Sequence, residues 1–253
     1  MRIKVRVVCC IRMWLYLAMK KKLEVIATEV AHVFEANRLG VDRIELCSAL
    51  SADGLSPSSG LVEWAVKNAR MPIMVMIRPR EGGFVYSSEE LEIMLFEIEW
   101  AKQCGAMGIV VGILNDENEV NIESMKRVVQ CAYPMEVTFH RAFDVVRDPM
   151  KSLEEIIELG CTRILTSGQK SNCIEGKSLI HQLQEAAGDR IVIVAGAGIN
   201  SETINAIQSE SILEYHMSGL KRAEPLNEQE IIFGGKVVSR VDDIATVLNK
   251  LKQ

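Results

Sequence analysis

RLGVDRIELCS, residues 38–48, is the stretch on which the fold turns. It reads as a helix end, a Gly that stops the helix, a tight turn and a five-residue apolar run. Similar text returns as ELGCTRILTS (158–167) and AAGDRIVIVA (186–195), so helix end, turn and strand form a repeating unit. Working outward from it, eight runs appear: LEVIA (23–27), RIELC (43–47), IMVMI (73–77), GIVVGIL (108–114), EVTFH (136–140), RILTS (163–167), IVIVA (191–195) and LEYHM (213–217). Each is short and rich in Val and Ile, as parallel strands covered on both faces are. Helical patterns separate them. In SEELEIMLFEIEWAKQC (88–104) apolar residues recur at helical spacing. Ser87 or Ser88 can cap its start, acids fill the first turn and Gly105 stands where a left-handed stop belongs. Pro149 suits the first turn of a helix over 149–159. The stretch 218–238 reads as irregular, and a last helix is expected over 240–252.

Eight strand–helix units in a chain of 253 residues predict the α/β class and a single (β/α)8 TIM barrel, whose usual size is roughly 250 residues. A doubly wound open sheet is the alternative. It wants a Gly-rich turn after the first strand, and IATEVAH (26–32) contains no Gly. The barrel domain is expected over 19–253. Residues 1–18, MRIKVRVVCCIRMWLYLA, are basic and apolar without an acid. They read as a non-native or disordered extension outside the fold, with Met19 a plausible start. A signal peptide and an added strand or helix are the competing readings.

Composition narrows the function. Apolar residues make up 48%, charged residues 25%, and the net charge is −5. The lack of any basic run with interleaved aromatics argues against a nucleic-acid partner. No stretch approaches the roughly 18 apolar residues of a membrane span. Seven cysteines at irregular spacing, with no Cys-x-x-Cys, suit a reducing cytoplasm. Scattered apolar positions on the helices leave room for a homodimer.

In such barrels the site lies at the C-terminal strand ends. Alternation sends Ile44, Leu46, Val75, Ile77, Val137 and Phe139 outward, leaving Arg43, Glu45, Cys47, Met76, Arg78, Thr138 and His140 inward. The phase of RILTS is open between Thr166 and Ser167; His216 and Ser218 share a phase. The pocket candidates are therefore Glu45, Cys47, Arg78, His140, Arg141, Asp144, Thr166, Ser167 and His216. Charges ending apolar strands are costly to bury unless paired. Glu45 and Arg78 can thus be a structural plug, or a working pair. Arg78 and Arg141 can clamp a carboxylate or phosphate; Glu45 and His140 can transfer a proton, with Asp144 beside them. The loops after strands seven and eight, with Gly196, Gly198 and Ser218, occupy the frequent phosphate position of the fold. The same glycines can serve only a tight turn. No strand end carries a Lys, which argues against Schiff-base chemistry. His32 and His181 fall in helices and carry no chemistry in this reading.

KLEVIAT (22–28), GVDRIELCSALSADGLSPSSG (40–60), VMIRPREGGFVYSSEELEIML (75–95), VTFHRAFD (137–144), RILTSGQ (163–169) and AGAGI (195–199) together resemble the CutC family from about Lys21 to Met217. The resemblance implies a cytoplasmic TIM barrel associated with copper binding and tolerance, with no securely assigned enzymatic activity. It also supports Met19 as the start. The AGAGI loop departs from the family's usual Pro-Gly-Gly-Gly. Cu(I) prefers thiolate and thioether, then imidazole. The copper candidates are Cys47, at the end of strand two, Cys173, in the loop after strand six, and His140 and His216. Cys47 can equally be an inert buried thiol. The rival reading is a lyase or isomerase acting on a small anionic metabolite through Glu45, Arg78 and His140. A third is a binding protein on a retired barrel.

Overall fold

The computed structural model describes residues 20–223 and 236–253. The expectations for 1–18, and most of the stretch read as irregular, lie outside the described residues. Eight parallel strands close a barrel in chain order, β1 pairing with β8. They are β1 (Lys22–Ala27), β2 (Arg43–Leu46), β3 (Ile73–Met76), β4 (Gly108–Val111), β5 (Glu136–Phe139), β6 (Arg163–Thr166), β7 (Val192–Ala195) and β8 (Glu214–Met217). Around them run α1 (Val30–Leu39), α2 (Ser59–Asn68), α3 (Ser88–Cys104), α4 (Ile122–Ala132), α5 (Pro149–Glu158), α6 (Lys177–Ala187), the four-residue α7 (Ile204–Ile207) and α8 (Val241–Leu251). A small antiparallel pair, β9 (Leu220–Arg222) and β10 (Val237–Ser239), follows β8. Among the described residues, no helix is long and apolar enough to cross a membrane.

The helix ends follow from sequence. Ser87 caps α3 and forms a reciprocal capping box with Glu90, and Gly105 ends it in the left-handed region at φ 85°. Asp148 caps α5 just before Pro149. Once the helices are fixed, strand alternation creates two apolar layers. Ile44, Leu46, Val75, Ile77, Val137 and Phe139 pack outward with the helices. Ile26, Cys47, Met74, Met76 and Val110 form a separate interior layer with Leu220.

The N-terminal end of the interior is ionic. Arg43 donates through Nε to Glu24 and through Nη2 to Glu214 at 2.7 Å. Arg163 donates to Glu214 at 3.0 Å and to Glu136. Burial opposes ionisation of Glu214, but Arg43 and Arg163 outweigh it and hold its carboxyl below the usual range. His32 is buried: Nδ1 meets the Thr28 N–H and Nε2 the Val237 carbonyl oxygen, tying α1 to the β9–β10 pair.

Candidate functional site

A cavity of about 500 Å³ opens at the C-terminal strand ends. Glu45, Arg78, His140, Arg141, Asp144, Gly198, His216 and Ser218 line it. Thr166, Ser167, Gly196, Cys47 and Cys173 stand outside that lining.

Arg78 lies two residues past β3, in phase with Met76, so the strand phase turns it inward. It donates from Nη1 to the carbonyls of Ala52 (2.6 Å) and Gly54 (3.0 Å), and from Nη2 to Gly82 (2.9 Å). Its guanidinium lies over the Phe84 ring, 5.5 Å from the centroid. The structural plug does not form: Arg78 has no carboxylate partner among the described residues. Its positive charge is clipped by neutral dipoles, and its Nε is buried without a partner.

His140 ends β5. Its Nδ1 accepts the Ala142 N–H at 3.1 Å, which assigns the ring proton to Nε2. Nε2 is buried and has no partner. Burial, then the charges of Arg78 and Arg141, push the imidazole pKa down to about 3, so the ring is neutral at ordinary pH. Gly112 allows this seat: a Cβ there would stand 2.5 Å from His140 Nδ1. The neutral ring carries an unsatisfied N–H beside the cavity that His140 lines.

Asp144 is a hub. It accepts from Arg141 Nε (2.8 Å), Ser167 N (2.9 Å), Ser167 Oγ (2.9 Å) and Thr166 Oγ1. Thr166 and Ser167 therefore both serve Asp144, and Leu165, which lines the cavity, puts Ser167 in the inward phase of RILTS. Arg141 also reaches Ser167 Oγ at 3.2 Å.

At the base of the cavity Glu24, Glu45 and His216 converge, each offering a ligand atom within 4.8 Å of the others. His216 Nδ1 is 2.7 Å from Glu24 Oε1. Burial opposes the charged imidazole, but Glu45 and Glu24 outweigh it and raise His216 above its ordinary pKa. Burial likewise works against the Glu24 carboxylate, yet Arg43 and His216 hold it at about 2. Glu45 has no arginine in hydrogen-bond contact among the described residues. Burial, helped by the Glu24 charge, raises its carboxyl to about 7 despite His216 and Arg43, and its Oε2 has no partner.

Glu24 escaped the sequence reading. LEVIA reads as an apolar run with no phase assigned, although alternation with the inward Ile26 turns Glu24 inward. Phe84 and Arg240, which also line the cavity, sit on loops where alternation gives no guidance.

The β7 loop turns through Ala197 (φ 69°) and Gly198 (φ 84°). The N–H groups of Ala197, Gly198 and Ile199 find no acceptor among the described residues. All three residues line the cavity.

The four copper candidates are not gathered. Cys47 belongs to the interior layer beside Met74 and Met76, whereas Cys173 packs in the outer, helix-facing layer. Burial and the Glu45 charge push the Cys47 thiol far up, and burial raises Cys173 to about 11. Among the described residues, no group of three metal-ligating side chains includes a cysteine.

The CutC family profile covers residues 21–221. A family protein CutC from Pasteurella multocida (strain Pm70) is 46% identical over 199 residues, 78% of this chain and 82% of its own. The copper homeostasis protein cutC homolog of Homo sapiens is 42% identical over 197 residues, 78% of this chain and 72% of that protein. A crystal structure of CutC from Streptococcus agalactiae superposes with a TM-score of 0.74 at 32% identity, covering 78% of this chain and 97% of that one. An aldolase reaches a TM-score of 0.60 at 17% identity, over 79% of this chain and 91% of that one, a likeness of fold alone.

Proposed function

This chain belongs to the CutC family, and we propose that its barrel mouth binds a small phosphorylated or carboxylated metabolite and moves a proton on it, as a lyase or isomerase does. The carrying observation is the set of buried, unpartnered atoms on neighbouring strand ends: Glu45 Oε2, Arg78 Nε and His140 Nε2. Orphaned polar atoms are costly in a folded protein, and three around one cavity call for a ligand.

In this reading the Arg78 guanidinium attracts the anion and orients it through Nε. His140 Nε2–H donates to the substrate oxygen on which negative charge develops. Glu45, whose carboxyl titrates near neutrality, takes the proton from the carbon beside that carbonyl and returns it. Arg141 is held over the cavity by Asp144. The free N–H groups at 197–199, with Ser218, receive the far anionic end. Five cysteines at 47, 104, 131, 161 and 173 are free thiols, in keeping with a reducing cytoplasm.

The relatives' names favour a second reading, in which Cu(I) is the cargo, held at the C-terminal face by Cys47, Cys173, His140 and His216. Its donor set fits poorly. Cu(I) needs thiolate or thioether at one point, and the two thiols lie in different layers.

The test incubates the protein with a panel of small phosphorylated and keto-acid compounds in deuterated water. Proton NMR then follows exchange at the carbon beside the carbonyl. The expected result is enzyme-dependent deuterium incorporation into one class of compound, lost in His140→Gln with the fold retained. Failure to bind or exchange any of the panel, together with one-to-one Cu(I) binding abolished by Cys47→Ala, would overturn the proposal in favour of copper.

A further inference from the structure

The geometry points to a divalent-cation site at the base of the cavity, formed by Glu24, Glu45 and His216, that takes first-row divalent ions and discriminates against Cu(I). Two carboxylates and one imidazole are hard-to-borderline donors, suited to Zn²⁺, Co²⁺ or Cu²⁺ and lacking the sulfur that Cu(I) prefers. The three side chains come from β1, β2 and β8, adjacent in the closed barrel, and the register sets Glu24 against His216. All three are buried, and one atom from each lies within 4.8 Å of the others.

A cluster of this kind can be only an ion pair, and part of it is one. Arg43 occupies Glu24 Oε2, leaving Oε1 facing His216 Nδ1 at 2.7 Å. Glu45 is the independent observation. It is 3% exposed, and its Oε2 has no partner, so the ion pair leaves an acceptor unused beside it. A cation at about 2.0–2.1 Å from each donor uses Glu24 Oε1, Glu45 and His216 Nδ1 together. It replaces the proton between His216 Nδ1 and Glu24 Oε1, and those two atoms, 2.7 Å apart, must separate to the roughly 3.3 Å between tetrahedral donors at these bond lengths. Glu45 and His216 line the cavity, which provides the entry path and an open coordination position. Arg43 lies behind Glu24, where it orients the carboxylate and moderates the charge of the site.

This inference does not depend on the metabolite reading.

The test titrates the full chain with Co²⁺ alone and reads its visible and near-ultraviolet spectrum. The expected result is one equivalent of Co²⁺ with ligand-field bands and no thiolate charge-transfer band. Cys47→Ser leaves it unchanged, and His216→Gln and Glu45→Gln each weaken it by at least about tenfold. Zn²⁺ should displace Co²⁺, and Cu(I) held under reducing conditions should not. Circular dichroism checks that the variants fold. Should either variant unfold, loss of one imidazole coupling from the electron-spin-echo spectrum of Cu²⁺-loaded protein in His216→Phe serves instead. Absence of binding at millimolar Co²⁺, a thiolate band lost in Cys47→Ser, or binding indifferent to Glu45 and His216 would each overturn the proposal.

Discussion

The two ends of the barrel interior are built from the same residue types and solve opposite problems. At the N-terminal end Arg43 and Arg163 are buried against Glu24, Glu136 and Glu214, and every charge has a partner. At the mouth Arg78, His140 and Glu45 are equally buried, yet each keeps an unpartnered atom. Inward charge is therefore not by itself a sign of function. What separates a structural charge from a working one is whether the fold has already satisfied it.

The largest expected effect breaks the satisfied end. Arg43→Leu takes from Glu24 and Glu214 the guanidinium they share, leaving them His216 and Arg163, and should cost about 3 kcal/mol, read from denaturant midpoints. Glu45→Leu at the mouth removes an acceptor that has no partner, and should be neutral or stabilising by roughly 1 kcal/mol. Equal losses in the two variants would erase the contrast.

Acid sensitivity comes next. His140 is held neutral in the fold, with a pKa of about 3, against about 6.5 when unfolded. Between those values only the unfolded chain carries the proton. Its contribution to stability is complete above about pH 6.5 and is lost as the pH falls towards 3, amounting to about 2 kcal/mol at pH 5. His140→Gln should flatten this part of the stability–pH curve. An unchanged slope would contradict the neutral ring.

Gly112→Ala sharpens the comparison by moving one group. The added Cβ displaces the His140 ring and should cost about 1–3 kcal/mol while weakening any ligand at the mouth. Ser87→Ala, on the outer surface, should cost only about 1 kcal/mol of cap and leave the mouth untouched. Thermal melts and ligand titration on both variants check the pair.

The legible part of the molecule was the part governed by local rules. All eight strands and the cap-to-stop bounds of 88–104 follow from apolar runs, alternation and the Ser87–Gly105 punctuation. Arg78 and His140 were placed inward by phase alone. Their partners were out of reach, because Arg78 is held by carbonyls of two loops and His140 by the N–H of Ala142. Backbone acceptors have no signature in side-chain sequence. Asp144 was legible as a nearby acid, but its role as acceptor for Thr166 and Ser167 depends on how two neighbouring strand ends meet. The vicinity of Glu24 to Glu45 and His216 follows from barrel closure between β1 and β8, a contact between chain ends that no local pattern encodes.

The most direct measurement is a titration of isotope-labelled protein with inorganic phosphate and small phosphorylated carbonyl compounds. It follows the side-chain Nε–H signals of arginine and the ring N–H of His140 by NMR. The account predicts that the Arg78 Nε–H and His140 Nε2–H signals shift together and saturate, while those of Arg43 and Arg163 stay fixed. Shifts absent at the mouth, or equal at both ends of the barrel, would contradict it.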